Sequence, residues 1–304
     1  LAPTVVTAAE GLEQVRQILV CGPTDLPGCE HISPAIDQAE PLDVVHECQA
    51  DDVAVLVYTS GTTGNPKGVM LTHGGMRENT EAVASLFDFT PEYRALLVLP
   101  LNHVYGIMLL NLQHLLGGVS RLLQRFDAED VLATIQDFKV DLCSLVPAMM
   151  VALLHHPNRE KYDVSTLSVV AGGSAPLSAE LQRAFGEAFG CRVKDGYGQS
   201  EATCTVTAYK DDDDYVPGSV GRAIPGVEVC IQNNENEIVG PGQTGEICIR
   251  GNNVMKGYWN NEEVTSTTIL DGWLHSGDIG HIDETGHVFI TDRKKDIIVT
   301  AGGK

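Results

Sequence analysis

A regular alternation of strand-like and helix-like segments between residues 53 and 195 limits the possible folds more than any other feature of the sequence. Short apolar runs rich in Val and Leu are each followed by a stretch of helical length. Strands joined through helices pair in parallel, and the helices then cover both faces of the sheet. The sequence therefore predicts an α/β fold of mostly parallel sheets, with strands near 53–58, 94–100, 120–124, 141–146, 167–171 and 192–195 and helices near 72–86, 105–116, 127–138, from 147 and near 178–189.

Local signals mark where several of these helices begin and end. Thr72 is a candidate N-cap, because its hydroxyl can accept a hydrogen bond from a free amide of the first turn. Pro147 suits the first position of a helix, and Gly117 can end the helix that precedes it. The acidic residues after Asp127 favour a helix N-terminus there.

The sequence pattern changes after about residue 205. Helical periodicity fades, and short strands near 228–232, 245–250 and 287–291 alternate with Gly, Pro, Asn and Asp, which is typical of a β-rich unit. We predict one domain made of an α/β part (1–205) and a smaller β-rich subdomain (206–291), followed by a hinge at 292–304 that begins a C-terminal domain. Ahead of residue 50, the sequence favours a short helix at 11–18 and a strand at 18–20.

Composition narrows the possible functions. The net charge of −21 argues against a nucleic-acid partner, because binding nucleic-acid phosphates requires a basic face. No apolar run reaches the roughly 18 residues of a transmembrane segment. The eight cysteines form no Cys-x-x-Cys pair and are typical of reduced thiols. We expect a cytoplasmic protein, with peripheral attachment to a membrane left open.

The sharpest local motif is the segment 58–68, Tyr-Thr-Ser-Gly-Thr-Thr-Gly-Asn-Pro-Lys-Gly, which we expect to join a buried strand to a helix. Its glycines let backbone amides approach a ligand closely, its hydroxyls add donors and its lysine adds positive charge, a combination that holds polyphosphate. It is not a Walker loop, because Pro66 and Gly68 stand where that motif needs Gly and Ser or Thr. The candidate phosphate-binding residues are Thr59, Ser60, Gly61, Thr62, Thr63, Gly64 and Lys67.

Further motifs follow along the chain. They are Pro-Leu-Asn-His-Val-Tyr-Gly at 100–106, Gly-Gly-Ser-Ala-Pro at 172–176, Asp-Gly-Tyr-Gly-Gln-Ser-Glu at 195–201, Gly-Glu-Ile-Cys-Ile-Arg-Gly at 245–251 with Met-Lys-Gly-Tyr at 255–258, Trp-Leu-His-Ser-Gly-Asp at 273–278, and Asp-Arg-Lys-Lys-Asp at 292–296. Together with the 58–68 loop, their order resembles the adenylate-forming superfamily of acyl- and aryl-CoA synthetases, peptide-synthetase adenylation domains and luciferases. By this resemblance, residues 58–304 are identified as part of the large N-terminal domain of an AMP-forming acyl-activating enzyme.

The resemblance implies a nucleotide-binding role for residues in most of these motifs. The 59–67 loop would hold the β- and γ-phosphates of ATP, Tyr197 would stack on adenine, and Asp195 would accept from the adenine amino group. Asp278 would bind both ribose hydroxyls, and Arg293 would contact the ribose. The remaining nucleotide-binding residues implied by the resemblance are Gly173, Ser174, Ala175, Gly196, Gly198 and Ser200.

Four residues are implied in catalysis: Lys67, His103, Ser200 and Glu201. His103 would lie beside the bound carboxylate, and Ser200, where the family usually has Thr, would reach the α-phosphate. Glu201 would hold Mg²⁺, a hard cation that takes carboxylate oxygen beside substrate phosphates. The acyl pocket is expected near 103–108, 147–150, 171–176 and 197–204, whereas the 245–251 and 255–258 motifs are interpreted as mainly structural.

The implied reaction has two steps. A carboxylate attacks the α-phosphorus of ATP, which gives acyl-AMP and pyrophosphate, and a thiol, usually that of coenzyme A, then displaces AMP. A fatty acid is the favoured substrate, because no Asp between 100 and 110 could pair with the amine of an amino acid and because Lys295 and the residues after it resemble fatty-acid branches. An aryl acid such as a cinnamate or benzoate remains an alternative.

Other readings stay open. An adenylation domain would load its acyl group onto a carrier protein, a decayed relative would bind nucleotide without catalysis, and a luciferase-type oxygenase would use the same first step. Leu1 and Lys304 do not look like natural ends, and no signal-peptide pattern is recognisable. We therefore expect a piece of a longer enzyme that lacks the family's small C-terminal domain and is a poor catalyst alone.

Overall fold

The computed structural model of the chain describes residues 2–22, 25–41, 44–59, 65–88, 90–211, 213 and 215–294. The chain divides into two compact units, Leu1–Glu47 and Cys48–Lys304. In the described ranges, no helix is long and apolar enough to cross a membrane.

The first unit is small and has no buried core among its described residues, each of which is at least partly exposed. The first helix of this unit, Ala2–Ala9, ends before residue 11, so the prediction of a helix at 11–18 is wrong. Gly11 has a φ of 79°, a left-handed conformation that interrupts a helix, and the chain beyond it forms turns and extended segments. The predicted strand near 18–20 is confirmed. The elements are α1 (Ala2–Ala9), β1 (Leu19–Val20), β2 (Glu30–His31) parallel to β1, and α2 (Ile32–Asp37).

The second unit begins with a β-hairpin, β3 (Val53–Thr59) and β4 (Lys67–Thr72), followed by α3 (His73–Ala84). The 58–68 motif therefore joins two antiparallel strands, and the prediction that it leads directly into a helix is wrong. Val69 and Leu71 alternate with less buried residues and are fully buried, which is the period of a strand. Thr72 is the N-cap of α3 as predicted, since its hydroxyl accepts from the Gly75 amide at 3.0 Å.

A five-stranded parallel sheet follows, as the alternating pattern predicted, in the order β6-β5-β7-β8-β9. The predicted helix near 72–86 precedes this sheet as α3, and the four predicted helices between 105 and 189 lie between its strands. The elements are β5 (Arg94–Leu97), α4 (Val104–Leu116), β6 (Val119–Leu122), α5 (Ala128–Phe138), β7 (Leu142–Leu145), α6 (Pro147–Leu154), β8 (Val169–Gly172), α7 (Ala179–Phe189) and β9 (Arg192–Lys194).

Helices cover both faces of this sheet. Alternate residues of a strand point to opposite faces, so Leu96 and Leu97 of β5 belong to different cores. Leu96 packs with α5, α6 and α7, where Leu132, Met150 and Phe185 are fully buried. Leu97 packs on the other side with α3 and α4. The predicted α/β architecture is therefore confirmed.

The remainder of the second unit is β-rich and antiparallel, as predicted. Three short strands form one sheet, β10 (Tyr197–Gln199), β11 (Cys204–Ala208) and β12 (Arg222–Ala223). A second sheet has the order β13-β14-β17-β16, with β18 beside β17, and β15 extends the β3–β4 hairpin. The elements from residue 227 onwards are β13 (Val227–Gln232), β14 (Gly245–Gly251), β15 (Gly257–Tyr258), α8 (Glu262–Thr268), β16 (Ile269–Leu270), β17 (Trp273–Ile282) and β18 (Val288–Arg293). The subdomain bounds given above stay a prediction.

The start of α4 depends on a close backbone contact at Gly106. A Cβ atom at this position would lie 2.2 Å from the Pro100 carbonyl oxygen. We expect Gly106→Ala to lower the free energy of unfolding by about 1–3 kcal/mol, the usual cost of overpacking, although alanine is the better helix former.

Urea unfolding followed by circular dichroism measures this effect. Gly240→Ala is the matched control, because its Cβ would meet only the end of the Gln243 side chain at 4.0 Å. Equal stability of the two variants would contradict the contact at Gly106.

Candidate active site

Most of the predicted site residues lie around one cavity of about 1040 Å³ in the second unit. The cavity lies where the carboxyl ends of β8 and β9 meet α4, the β3–β4 hairpin, the β10–β11 pair and β17. This is the edge of a parallel sheet at which ligands commonly bind. The predicted residues that line it are Thr59, Lys67, His103, Gly173, Ser174, Asp195, Gly196, Tyr197, Gly198, Ser200, Glu201 and Arg293.

The other predicted residues lie elsewhere or outside the described ranges. Ala175 is exposed and is not among the lining residues, and Asp278 is buried behind them. Ser60, Gly61, Thr62, Thr63, Gly64 and the hinge position Lys295 lie outside the described residues.

One end of the cavity combines a cation, an aromatic ring and a carboxylate. Thr59 and Lys67 are the last residue pair of the β3–β4 hairpin, and both line the cavity. The Lys67 ammonium lies 5.0 Å from the centroid of the Tyr258 ring, and the Tyr258 hydroxyl donates to Glu201 Oε1 at 2.9 Å. Burial, and next the Glu201 charge, raise the pKa of Tyr258, so this hydroxyl stays protonated and able to donate.

In a second cluster, Tyr197 is hydrogen-bonded to a residue of the β17–β18 pair. The Tyr197 hydroxyl donates to Asp278 Oδ2 at 2.7 Å, and Arg293 Nε lies 3.2 Å from Asp278 Oδ1. Burial is the main cause that raises the pKa of Tyr197, and the charge of the Asp278 carboxylate is the second. Three of the four residues assigned to adenine and ribose by resemblance are therefore joined through the Asp278 carboxylate.

The Glu246 carboxylate, on β14, joins several segments of the cavity wall. Its Oε1 accepts from the Gly277 amide at 2.9 Å, and its Oε2 accepts from Lys294 Nζ at 2.9 Å and lies 3.1 Å from His275 Nδ1. Burial acts to raise the pKa of Glu246, but the hydrogen bonds from Lys294, His275 and Gly277 outweigh it, and the pKa lies below its usual value. Glu246 is therefore a buried anion, held by donors next to Arg293.

Burial also shifts the pKa values of two further titratable groups of the predicted site, Asp195 and His103. Asp195 is 8% exposed, and burial raises its pKa to about 6 although the Gly196 amide donates to Oδ1 at 3.0 Å. His103 is the N-cap of α4, with Nδ1 accepting from the Tyr105 amide at 3.2 Å, and burial lowers its pKa. The neutral imidazole is therefore favoured near pH 7.

Close packing explains two glycines of the predicted motifs. A Cβ at Gly198 would lie 1.5 Å from the Cys204 carbonyl oxygen, across the β10–β11 pair. A Cβ at Gly173 would lie 3.0 Å from the Tyr105 ring. Both glycines thus keep the cavity wall thin where strands and α4 approach each other.

The end of the cavity away from Lys67 is mostly apolar. Asn79 of α3 fixes β11 beside it, because its amide donates to the Thr205 carbonyl at 2.7 Å and accepts from the Thr205 amide at 3.3 Å. The predicted segments 103–108, 171–176 and 197–204 contribute to the cavity lining. No residue of 147–150 is among the lining residues, and Met150 is fully buried in the core on the other face of the sheet. A contribution of 147–150 to the acyl pocket stays a prediction. The apolar lining residues include Val83, Phe87, Val104, Met108, Leu109, Leu112, Leu142, Val169, Val264, Leu270 and Leu274.

Several polar lining residues were not among the predicted site residues. Four of them take part in the contacts described above: Glu246, Tyr258, His275 and Lys294. Glu246 and Tyr258 belong to motifs interpreted as mainly structural, an interpretation that is incomplete. The available signal was a single carboxylate directly before the apolar run Ile-Cys-Ile of β14. The partners of Glu246 and Tyr258 lie on other elements, so sequence spacing does not reveal them.

Among the described residues, no group of three or more His, Cys, Asp or Glu side chains could hold a metal ion by itself. Glu201 nevertheless lines the cavity, and the described hydrogen bonds of its carboxylate leave Oε2 available. One carboxylate together with substrate phosphates is a common way of binding Mg²⁺. The donor set therefore fits a magnesium ion that arrives with a nucleotide.

The α/β fold and the cavity at the carboxyl edge of its parallel sheet are typical of ligand-binding α/β proteins. Residues 3–259 match the sequence family described as AMP-binding enzyme. Since this match spans most of the chain, the protein belongs to the AMP-binding enzyme family.

Individual relatives agree with this assignment. The chain is 41% identical over 255 residues to a long-chain-fatty-acid–CoA ligase of Bacillus subtilis (strain 168), covering 83% of the chain and 46% of the relative. It is 36% identical over 323 residues to a 4-coumarate–CoA ligase of Pinus taeda, covering 99% of the chain and 60% of the relative.

A solved structure supports the same fold. The ATP-bound structure of MatB from Rhodopseudomonas palustris matches with a TM-score of 0.83 and 32% identity, over 90% of this chain and 55% of that one. The chain thus spans about half the length of the relatives it matches.

The raised pKa of Asp195 predicts a pH-dependent stability. The folded state holds the Asp195 proton up to about pH 6, whereas the unfolded chain releases it near the ordinary value of 3.8, so stability falls as the pH rises between these values. Asp195→Asn removes this loss. We expect the variant to be more stable than the native chain by roughly 2 kcal/mol at pH 5.2 and roughly 3 kcal/mol at pH 7.5.

Urea unfolding of both proteins at the two pH values tests this expectation. Asp88→Asn serves as the control, because it makes the same chemical change at an exposed position. A constant effect of Asp195→Asn across the range would contradict the assigned shift.

Proposed function

We propose that the full-length protein activates a carboxylic acid with ATP to give acyl-AMP and pyrophosphate, and then forms the coenzyme A thioester. The observation that carries the proposal is the arrangement of one cavity. Lys67 and Glu201 lie together on the phosphate side, Tyr197 and Arg293 line the nucleotide side with Asp278 buried behind them, and apolar residues line much of the remaining wall. Membership of the AMP-binding enzyme family and the names of the relatives support it.

The phosphate end suits the departure of pyrophosphate. Lys67 brings a positive charge to the base of the 58–68 loop, and Tyr258 holds Glu201 in one orientation. Positioned charges of this kind stabilise a transferring phosphoryl group without reorganisation. Mg²⁺ bound by Glu201 would add neutralisation of phosphate charge.

The nucleotide side suits adenosine. Tyr197 offers an aromatic face, and Asp278 is a carboxylate with both oxygens already fixed by neighbouring donors. Ribose hydroxyls could share these oxygens, since a carboxylate has about four acceptor sites. Asp195, with its raised pKa, lies on the same side of the cavity.

The acid end suits a hydrocarbon substituent. His103 lies at the N-terminus of α4, where a carboxylate also meets free backbone amides, and α4 continues away from it with Met108, Leu109 and Leu112 along the wall. We propose a fatty acid as the substrate, in line with the Bacillus relative. A hydroxycinnamate is the second candidate, because 4-coumarate–CoA ligases are also similar and Ser144, Thr205 and Thr207 add hydroxyls to the wall.

The first test is pyrophosphate release by the full-length protein with Mg-ATP across fatty, aryl and amino acids, each with and without coenzyme A. We expect release to depend on one fatty acid and to yield its thioester. Thioester formation with 4-coumarate alone would favour the second candidate. Acyl-AMP without thioester would indicate a carrier protein as acceptor, and no release with any acid would reject catalysis.

The role of Glu201 is tested by Glu201→Gln, which keeps the side-chain volume and an acceptor for Tyr258 but removes the charge. We expect pyrophosphate release to fall by at least about 100-fold, since even indirect metal contacts are worth 10–100-fold. Glu228→Gln is the control, because Glu228 is an exposed carboxylate on β13 whose partner is Arg250. Unchanged release by Glu201→Gln at saturating magnesium would refute the metal-binding role.

A further inference from the structure

Two cysteines and a histidine form a row across three antiparallel strands, away from the residues assigned to the reaction. Cys230 on β13 lies directly opposite Cys248 on β14, and Cys248 lies directly opposite His275 on β17. Directly opposite residues of antiparallel strands present their side chains on the same face, with Cβ atoms about 4.5–5.5 Å apart. The register alone therefore places the two thiols side by side.

The thiols are in contact and only partly sheltered. Cys230 is 9% exposed and Cys248 is fully buried, and both pack against Trp273 in a small cluster of their own. The two thiols share a hydrogen bond, which is the main cause that lowers the pKa of Cys230. Cys248 Sγ also lies 3.6 Å from His275 Nδ1. Cys230 is therefore the thiol that a small reagent reaches first.

The geometry suits a disulfide that forms and breaks easily. A disulfide requires Cα atoms about 4.4–6.8 Å apart, which opposite antiparallel residues meet, but Cβ atoms near 3.8 Å, so the strands must close by about 1 Å. The resulting bond is strained, and strained disulfides are the more easily reduced ones. By contrast, Cys143 on β7 and Cys191 before β9 are separated by β8 and have no such register.

We propose that Cys230 and Cys248 form a reversible oxidation site that reacts with small disulfides such as oxidised glutathione. The Cys230 thiolate attacks one sulfur of the small disulfide, whose S–S bond breaks and releases one thiolate. The Cys248 thiolate then attacks Cys230 Sγ and releases the second thiolate. In total, two cysteine thiols lose two electrons, their two protons pass to the two released thiolates, and one small disulfide becomes two thiols.

The oxidised site lies beside the cavity wall. Disulfide formation draws Cys248 Sγ towards Cys230 and away from His275, whose Nδ1 also contacts Glu246. Glu246 in turn holds Lys294 and the Gly277 amide. The redox state of the pair is thus connected through two side chains to the segment that carries Arg293.

The test is a thiol map of the native protein equilibrated in buffers of varied reduced and oxidised glutathione. Samples are acid-quenched, unfolded in iodoacetamide, digested without reductant and analysed by mass spectrometry. We expect a peptide pair linked through Cys230 and Cys248 to appear as the buffer becomes oxidising, and to disappear when reduced glutathione is restored.

Two variants sharpen this result. Cys230→Ser should leave Cys248 fully alkylated, because a buried thiol without its partner has no route to the reagent, whereas Cys191→Ser should leave the linked pair unchanged. The proposal is overturned if Cys230 and Cys248 both remain alkylated in buffers that oxidise the exposed Cys21 and Cys48. It is also overturned if the linked pair forms only in urea. The map of the native protein decides the matter even if a variant fails to fold.

Discussion

Burial of the Glu246 carboxylate is the constraint on which the antiparallel part of this structure depends. A buried anion is costly unless donors surround it, and removing one partner leaves the charge uncompensated. The donors come from β17, through Gly277 with His275 beside it, and from Lys294 directly after β18. Because these segments also carry Asp278 and Arg293, satisfying one carboxylate places the second cluster at the edge of the cavity.

The same principle recurs around the cavity. The Tyr258 hydroxyl satisfies Glu201 from a strand added to the β3–β4 hairpin, and the Tyr197 hydroxyl satisfies Asp278 from a different sheet. Each pair joins segments that are more than fifty residues apart in the sequence. The polar wall is therefore assembled by hydrogen bonds between distant elements, whereas the largest part of the apolar wall comes from α4, a single continuous element.

Sequence patterns predicted the parallel part of the fold because its signals are local. The caps at Thr72 and Gly117 and the proline at 147 act within one turn, and all three lie where expected. β4 was not predicted, because the 58–68 motif was interpreted as a loop that joins a strand to a helix. β17 was missed because it carries His275, Ser276 and Asp278 in place of a regular apolar alternation. Tyr258 and Glu246 could not be found without the strand register, since nothing in the sequence gives the partner of a buried polar group.

Helix α4 has a consequence for how the cavity distinguishes molecules. Its lining residues follow one face from Val104 to Leu112, eight residues and about 12 Å along the helix axis. With the substrate carboxylate at His103, as proposed, a substitution at Val104 would affect a substrate of any length, whereas a substitution at Leu112 would affect only one long enough to reach it. Each successive turn of α4 extends this wall by about 5.4 Å along the helix axis, so the position of a substitution on α4 sets the shortest substrate that it affects.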